Sequence, residues 1–273
     1  MRLPPRSPHH RLRLQTSRRS NPAAGRSHDV ADAARRMGLA RVLSKRGLCS
    51  RTQAAEWIRS GRVRVDGRVV RDPEFPTVAG KHRIAVDGRG LDEVPGARLH
   101  LMLNKPRGLV TTLRDEQGRD TVYRCFDGAG LGFIAPVGRL DKASEGLLLF
   151  TNDPEWAARI TSPDAGPDKT YHVQADCIPD AAMLATMQAG IDVEGEWLRA
   201  KSVVVLRAGE KNAWLEVVLD EGRNRQIRRL LAAFDIGVLR LVRIAIGPLL
   251  LGTLAKGQWR ALTAEEVAAL AGE

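Results

Sequence analysis

The sequence predicts an α+β fold in two parts, a small basic module followed by a larger domain built on a largely antiparallel sheet. Two observations lead there. In the second part, segments with strand character outnumber helical ones, and several connections are short enough to join antiparallel neighbours. The charge is also divided. Residues 1–36 hold 9 Lys/Arg against 2 Asp/Glu, residues 37–96 hold 12 against 7, and residues 97–273 hold 22 against 23. All the excess positive charge of the 273-residue chain therefore lies in its first third, which suggests a polyanion-docking part joined to a near-neutral working part.

Residues 1–36 combine Pro, Ser, Arg and His without helical or strand period and are expected to form a disordered basic arm. Met1 to Ser20 lacks the apolar segment of a secretory signal, and its basic, acid-poor composition is also that of an organellar transit peptide. In residues 37–96, Leu39, Val42 and Leu43 share one helical face that Gly47 terminates, and Ser50 with Gln53 forms a capping-box pattern for a second helix carrying Ala54, Ala55, Trp57 and Ile58. Gly61 stops that helix. Val63 and Val65 then alternate with Arg62 and Arg64, Asp66-Gly67 marks a hairpin, and Val69-Val70 begins the return strand. Ile84 to Val86 is one more strand, and a Gly/Pro-containing linker around Val94 to Ala97 sets the domain boundary.

In residues 97–273, Leu99 to Leu103 reads as a strand turned by residues 104–108 into a second extended run, Leu109 to Thr112. Leu147 to Phe150 is an unbroken apolar run, short enough for a strand buried on both faces. Asp153 caps a helix whose first position is Pro154 and whose buried side is Trp156, Ala157 and Ile160. Strands are expected at 169–173, 203–206, 214–219 and 238–246, and helices at 181–189 and 225–234. Thr263 with Glu266 forms a capping box for the last helix.

Composition excludes several classes. No apolar run approaches the roughly 20 residues that span a bilayer. Cys49, Cys125 and Cys177 are odd in number and widely separated, giving neither a disulfide framework nor zinc spacing, which fits a reducing, cytoplasmic setting. His9, His10, His28, His82, His100 and His172 form no ligand-spaced cluster, so no metal is expected.

The chemistry concentrates in Val137 to Thr151. Asp141 stands just ahead of the buried strand, bracketed by Arg139 and Lys142 and by two glycines, Gly138 and Gly146, that permit tight turns. Gly-Arg-Leu-Asp-Lys followed by Ser-Glu-Gly-Leu-Leu is similar to the catalytic signature of the pseudouridine synthases typified by RsuA and RluB. Leu-Asn-Lys-Pro-Arg-Gly (103–108), Lys-Thr-Tyr (169–171) and Gly-Arg-Asn-Arg-Gln-Ile-Arg-Arg (222–229) are similar to further segments of the same family, in the same order. The helix pair and hairpin of residues 37–96, with Arg46, Arg51 and Arg62 distributed along them, resemble the S4 RNA-binding domain, although Gly38 stands early in the first helix.

The resemblance implies a small S4-type RNA-binding domain followed by a pseudouridine-synthase catalytic domain that isomerises a uridine of ribosomal RNA. Such a reaction breaks the C1′–N1 bond, turns the base and rejoins it through C5, with no redox change and hence no cofactor. Asp141 would be the catalytic carboxylate, as nucleophile at C1′ or as base on the sugar, and Tyr171 would stack on the base. Arg228 would keep Asp141 ionised in a buried pocket, an assignment that rests on the motif, since Arg225, Arg228 and Arg229 share helical spacing. Ile227 would line the pocket, Arg139 would enter the space left by the base, and Lys142 and Lys169 would bind substrate. The partner would be ribosomal RNA or an assembly intermediate, the protein a monomer without membrane contact. Two other readings differ at the carboxylates: a non-enzymatic ribosome-assembly factor would tolerate Asn at position 141, and a glycoside hydrolase would need a second acid opposite Asp141, for which Glu145 is the only neighbour. The Ile246–Arg260 segment is expected to be structural.

Overall fold

The computed structural model describes residues 36–78, 81–91 and 97–272. The expected basic arm up to residue 35, and residues 94–96 of the expected linker with its boundary, lie outside the described residues.

A short strand, β1 (Arg36–Gly38), leads into α1 (Leu39–Lys45), for which Gly38 is the N-cap. Helix α2 (Arg51–Arg59) starts at Ser50, whose hydroxyl accepts from the Gln53 amide at 3.1 Å; only this half of the expected capping box forms. The two helices pack Leu39, Leu43, Ala54 and Ile58 against Val63 and Val65. Those valines belong to β2 (Val63–Val65), which with β3 (Arg68–Val69), β5 (Ile84–Val86) and β6 (Arg89–Gly90) forms a sheet of order β3-β2-β5-β6, while β4 (Pro76–Val78) pairs with β1. Alternation along β2 turns the valines inward and Arg64 outward, as a period of two requires.

The larger domain is organised on one nine-stranded sheet. In chain order its elements are β7 (His100–Lys105), a 3₁₀ turn at Val122–Phe126, β8 (Ala135–Val137), β9 (Glu145–Thr151), α3 (Pro154–Ile160), β10 (Lys169–Ala175), α4 (Ala181–Ala189), β11 (Ile191–Val193) and β12 (Glu196–Leu198). They continue with β13 (Ser202–Ala208), β14 (Ala213–Leu219), α5 (Gln226–Ala232), β15 (Val238–Ile246), β16 (Leu249–Leu250), β17 (Trp259–Ala261) and α6 (Ala264–Ala271). The main sheet runs β13-β14-β10-β15-β9-β7-β17, with β16 on β15 and β8 on β9, and β11-β12 forms a separate hairpin. Every pairing in the main sheet is antiparallel except β9 with β15, which join in parallel through Val242 to Glu145 and Arg243 to Gly146. That central seam brings residues about a hundred positions apart side by side.

Strand β9 explains its own apolar run. Leu148 and Phe150 enter one core with Leu103, Tyr171 and Val173, whereas Leu147 and Leu149 enter the other with Met102, Trp156 and Ile160. The caps at Asp153 and Thr263 form as expected, the second as a complete capping box. The two domains also touch: Lys45 pairs with Glu155 at 3.0 Å, and a Cβ on Gly47 would fall 2.4 Å from the Asn152 carbonyl oxygen.

Two expectations are corrected. Leu109 to Thr112 is not a strand; Val110 makes only an isolated bridge to Thr121, and the Thr111 hydroxyl is directed to the Leu140 carbonyl. The helix expected at 225–234 spans Gln226–Ala232; it begins only at Gln226 because Arg225, its N-cap, takes the left-handed conformation (φ 48°). Strands β11 and β12 form a local hairpin and β16 folds back on β15, whereas β17 is a short piece paired with β7, more than 150 residues away.

Gly146 is the tightest point of the parallel seam. Its φ is +100°, and a Cβ there would meet the Arg243 carbonyl oxygen at 2.2 Å. Gly146→Ala is therefore expected to destabilise the protein by on the order of 3 kcal/mol, from backbone strain plus overpacking, as measured by urea unfolding.

Candidate active site

The loop between β8 and β9 carries Asp141, and its carbonyls from 140 to 144 accept from groups outside that stretch. Thr111 Oγ1 donates to Leu140 O at 2.7 Å, Gly108 N to Lys142 O at 2.8 Å, and Arg228 Nη2 to Ala143 O at 3.3 Å. The Lys105 ammonium, at the end of β7, donates to Asp141 O at 3.2 Å, Ser144 O at 2.9 Å and Pro106 O at 3.0 Å. Ser144 N closes a turn onto Asp141 O at 3.0 Å. Five successive carbonyls, 140 to 144, thus have donors, and the backbone under Asp141 has no freedom to reorient. Lys105 is completely buried; desolvation pushes its pKa down to about 8, opposed by the nearby negative charges of Asp141 and Glu145.

The Asp141 side chain faces a cleft of about 460 Å³. Tyr171, Ile227 and Leu241 supply apolar lining, and Arg139, Lys169, Arg225, Arg228 and Arg243 supply positive charge. Asp141, Tyr171, Arg228, Arg139, Lys169 and Ile227, named from the sequence, therefore converge on one cavity. Tyr171 is 9% exposed, and its register partner across β15 is Arg243, so the two side chains rise from the same face of the sheet. Burial, followed by the neighbouring Arg243 charge, lowers the Lys169 pKa, and Asp168 and Asp220 oppose this.

The charge partner of Asp141 differs from expectation. Arg225 Nη1 lies 3.5 Å from Asp141 Oδ2, whereas Arg228, one helical turn on, donates to Ala143 O and Val238 O and acts on Asp141 only through space. The left-handed backbone at Arg225, which costs about 1 kcal/mol, turns its side chain back over the cleft. Arg228 is half-buried with its Nε atom sealed and unpartnered; desolvation lowers its pKa, Arg225 adds to this, and Asp141 opposes it. Nor is Asp141 buried: its side chain is 38% exposed toward the open cleft.

Other expected site residues sit elsewhere. Lys142 is exposed outside the cleft lining, although its carbonyl is part of the clamp. Arg46 and Arg51 lie on the exposed surface of the helix pair, while Arg62 is engaged by Asp87 at 3.0 Å and stacks over Trp57 at 5.0 Å. Glu145 faces away from the cleft; burial alone would raise its carboxyl pKa, but bonds from Arg240 and Lys256 bring it below its ordinary value. No second acid is thus available opposite Asp141 from that position.

Lys105, Arg225, Gln226 and Arg243 were not distinguished from the sequence as site residues. Gln226 is buried, donates to Glu221 Oε1 at 2.7 Å and Arg199 O at 2.9 Å, and accepts from Arg223 N at 3.1 Å, fixing the entry to α5. The motifs contain Lys105, Arg225 and Gln226, while Arg243 stands in the strand expected at 238–246, and only three-dimensional contacts separate a residue that clamps the loop from one that faces the cleft. Among the described residues no group of three or more His, Cys, Asp or Glu could hold a metal ion.

The chain is similar to known proteins over most of its length. A family model described as RNA pseudouridylate synthase matches residues 99–233, and an S4 domain model matches residues 37–80. An RNA pseudouridine synthase of Aquifex aeolicus (strain VF5) is 37% identical over 231 residues, covering 84% of this chain and 92% of that protein. The ribosomal large subunit pseudouridine synthase B of Bacillus subtilis (strain 168) is 35% identical over 232 residues, covering 84% and 93%. A crystal structure of a pseudouridylate synthase superposes with a TM-score of 0.60 at 30% identity, covering 86% of this chain and 99% of the other.

Lys105→Met leaves Ser144 O without its donor, an expected loss of about 1 to 3 kcal/mol in urea unfolding. Because Lys105 titrates near 8 when folded and near 10.5 when exposed, the unfolded chain binds more protons over that interval, and the lysine's contribution to stability rises with pH. The stability difference between wild type and Lys105→Met should widen from pH 8 to 10.5, by about 1.4 kcal/mol per unit of pKa difference. A difference that stays constant with pH would contradict a buried ammonium.

Proposed function

Because the chain belongs to the RNA pseudouridylate synthase family and is an isomerase of that class, we propose that it converts a uridine of ribosomal RNA to pseudouridine, with Asp141 as the catalytic carboxylate. The observation that carries this reading is the clamp on carbonyls 140 to 144. It fixes Asp141 at the mouth of a cleft whose wall is Tyr171.

The reaction needs a nucleotide drawn out of its stack, a surface for the base and an ionised carboxylate at the sugar. Tyr171 offers a ring face on which the uracil stacks. Such stacking is worth about 1 to 3 kcal/mol, comparable to the few kcal/mol that extrusion costs. Asp141 acts at the ribose, as nucleophile at C1′ or as base on the sugar. In either course the electron pair of the broken C1′–N1 bond leaves with uracil and returns when C5 bonds C1′; the C5 proton goes to water and N1 takes one up, and where Asp141 acts as base the ribose proton it removes is returned to the sugar as C5 bonds C1′. Arg225 pairs with Asp141 in the open cleft, and Arg228 holds the loop from beneath. A bound nucleotide would displace water from around Asp141 and strengthen both interactions.

The exposed Arg139 at the rim is suited to the gap left by the base, and Lys142, Arg46 and Arg51 to phosphates. Ribosomal RNA is preferred as substrate for two reasons: the S4 module precedes the catalytic domain, and the Bacillus subtilis relative is named for the large ribosomal subunit. The three free cysteines fit a cytoplasmic setting.

Ribosomal RNA labelled with tritium at uracil C5 is expected to release label to water with the wild type, and at least about a hundredfold more slowly with Asp141→Asn. Equal release by both proteins would remove Asp141 from its role, and no release from any ribosomal RNA would favour a binding protein. Arg225→Gly relieves the left-handed strain and loses only a solvent-screened ion pair, so unfolding free energy should stay within about 1 kcal/mol of wild type while the isomerisation rate falls. An unchanged rate would make Arg225 a bystander.

A further inference from the structure

We propose that Arg243 contacts the substrate base: its unpartnered guanidinium edge donates to an exocyclic oxygen of uracil and stabilises the negative charge the base acquires when the glycosidic bond breaks. The inference rests on the isomerase reading above and adds to it the group that receives the leaving base.

Arg243 is 5% exposed, yet among the described residues its guanidinium has one acceptor, Leu147 O, to which Nε donates at 2.7 Å. Nη2 is sealed from solvent without a partner. Leaving a buried charged donor unsatisfied is costly, and such a group in a native structure calls for an explanation, of which a role toward substrate is one. Among the described residues no carboxylate does so. Of the acids lining the cleft, Asp141 faces Arg225, and Glu221 is bonded by Arg223 and Gln226. Instead Arg243 has a second cation, Lys169, as its neighbour, and the two charges oppose each other. The pair therefore waits for an acceptor that carries or develops negative charge.

Position selects the base over a phosphate. Arg243 is directly opposite Tyr171 in the β10–β15 register, on the face where uracil would stack, and it lies deep in the cleft. Phosphates stay with the RNA backbone at the rim, where Arg139, Arg223 and Arg225 are exposed. Uracil reaching the floor presents only its carbonyl oxygens as acceptors. As the C1′–N1 bond breaks, its electron pair spreads from N1 onto O2 and O4, so a guanidinium there binds the transition state more tightly than the ground state. The fixed Nε bond to Leu147 orients the donor before substrate arrives.

The test uses the full chain in single turnover on ribosomal RNA transcripts made with uridine, 2-thiouridine or 4-thiouridine, with product nucleosides separated by chromatography. Sulfur is the weaker acceptor. Wild type should slow roughly tenfold to a hundredfold with sulfur at one of the two positions. Arg243→Met should slow by a similar factor on uridine RNA at unchanged RNA affinity, and should be indifferent to sulfur at that position. Arg243→Lys, which keeps a charge and can still reach Leu147 O, should recover part of the rate. The sulfur effect is a ratio within each protein, so a partly misfolded variant does not alter it. Equal sulfur penalties in wild type and Arg243→Met would overturn the proposal. So would a loss confined to RNA affinity with a reduced salt slope, the signature of a phosphate contact. Wild type that makes no product from uridine RNA would instead overturn the isomerase reading, and this inference with it.

Discussion

The active-site loop depends on one buried ammonium. Lys105 ends the strand that pairs with β9, and its three bonds tie Pro106 to both ends of the Asp141–Ser144 turn. A charge without water is normally unfavourable, and the depressed pKa records that cost. It is met by carbonyl dipoles that would themselves be unsatisfied if the lysine were elsewhere. The arrangement specifies one loop conformation rather than adding net stability, because any other path of residues 140 to 144 would strand either the ammonium or the carbonyls.

Around that loop the sheet supplies convergence. The parallel seam between β9 and β15 sets Gly146 between Lys105 on one side and Arg243 on the other. A residue with a side chain could not stand there, so the approach of the two strands and the position of two buried cations follow from a single glycine. One wall of the cleft is then drawn from β10 and β15, and the Asp141 partner from the start of α5. A rigid sheet thus holds the groups that must not move, while Asp141 and Arg225 remain accessible to a nucleotide arriving from solvent.

Much of this was legible beforehand because the signals are local. The apolar run at 147–150, the caps at Asp153 and Thr263, and the alternation at Val63 and Val65 each involve residues a few positions apart. The same holds for the motif around Asp141, whose spacing persists whatever the rest of the chain does. The extended reading of Leu109 to Thr112 failed because Thr111 is committed to Leu140, nearly thirty residues away, a contact with no trace in local pattern. Arg228 was taken as the partner of Asp141 on the family motif alone, and neither motif nor spacing can say that Arg225 stands ahead of the helix in a left-handed turn.

The amino-acid sequence by itself determined the family signature and the order of the two domains, and singled out Asp141 as the proposed acid. These follow from short motifs and their resemblance to a known family, which a chain carries unfolded. Tertiary structure alone decided which arginine faces that acid, that Lys105 is interior rather than at the surface, and that Arg243 has a donor to spare. Those outcomes depend on the register between strands far apart in the chain. Register is set by the summed burial of two cores, not by any residue's neighbours in sequence.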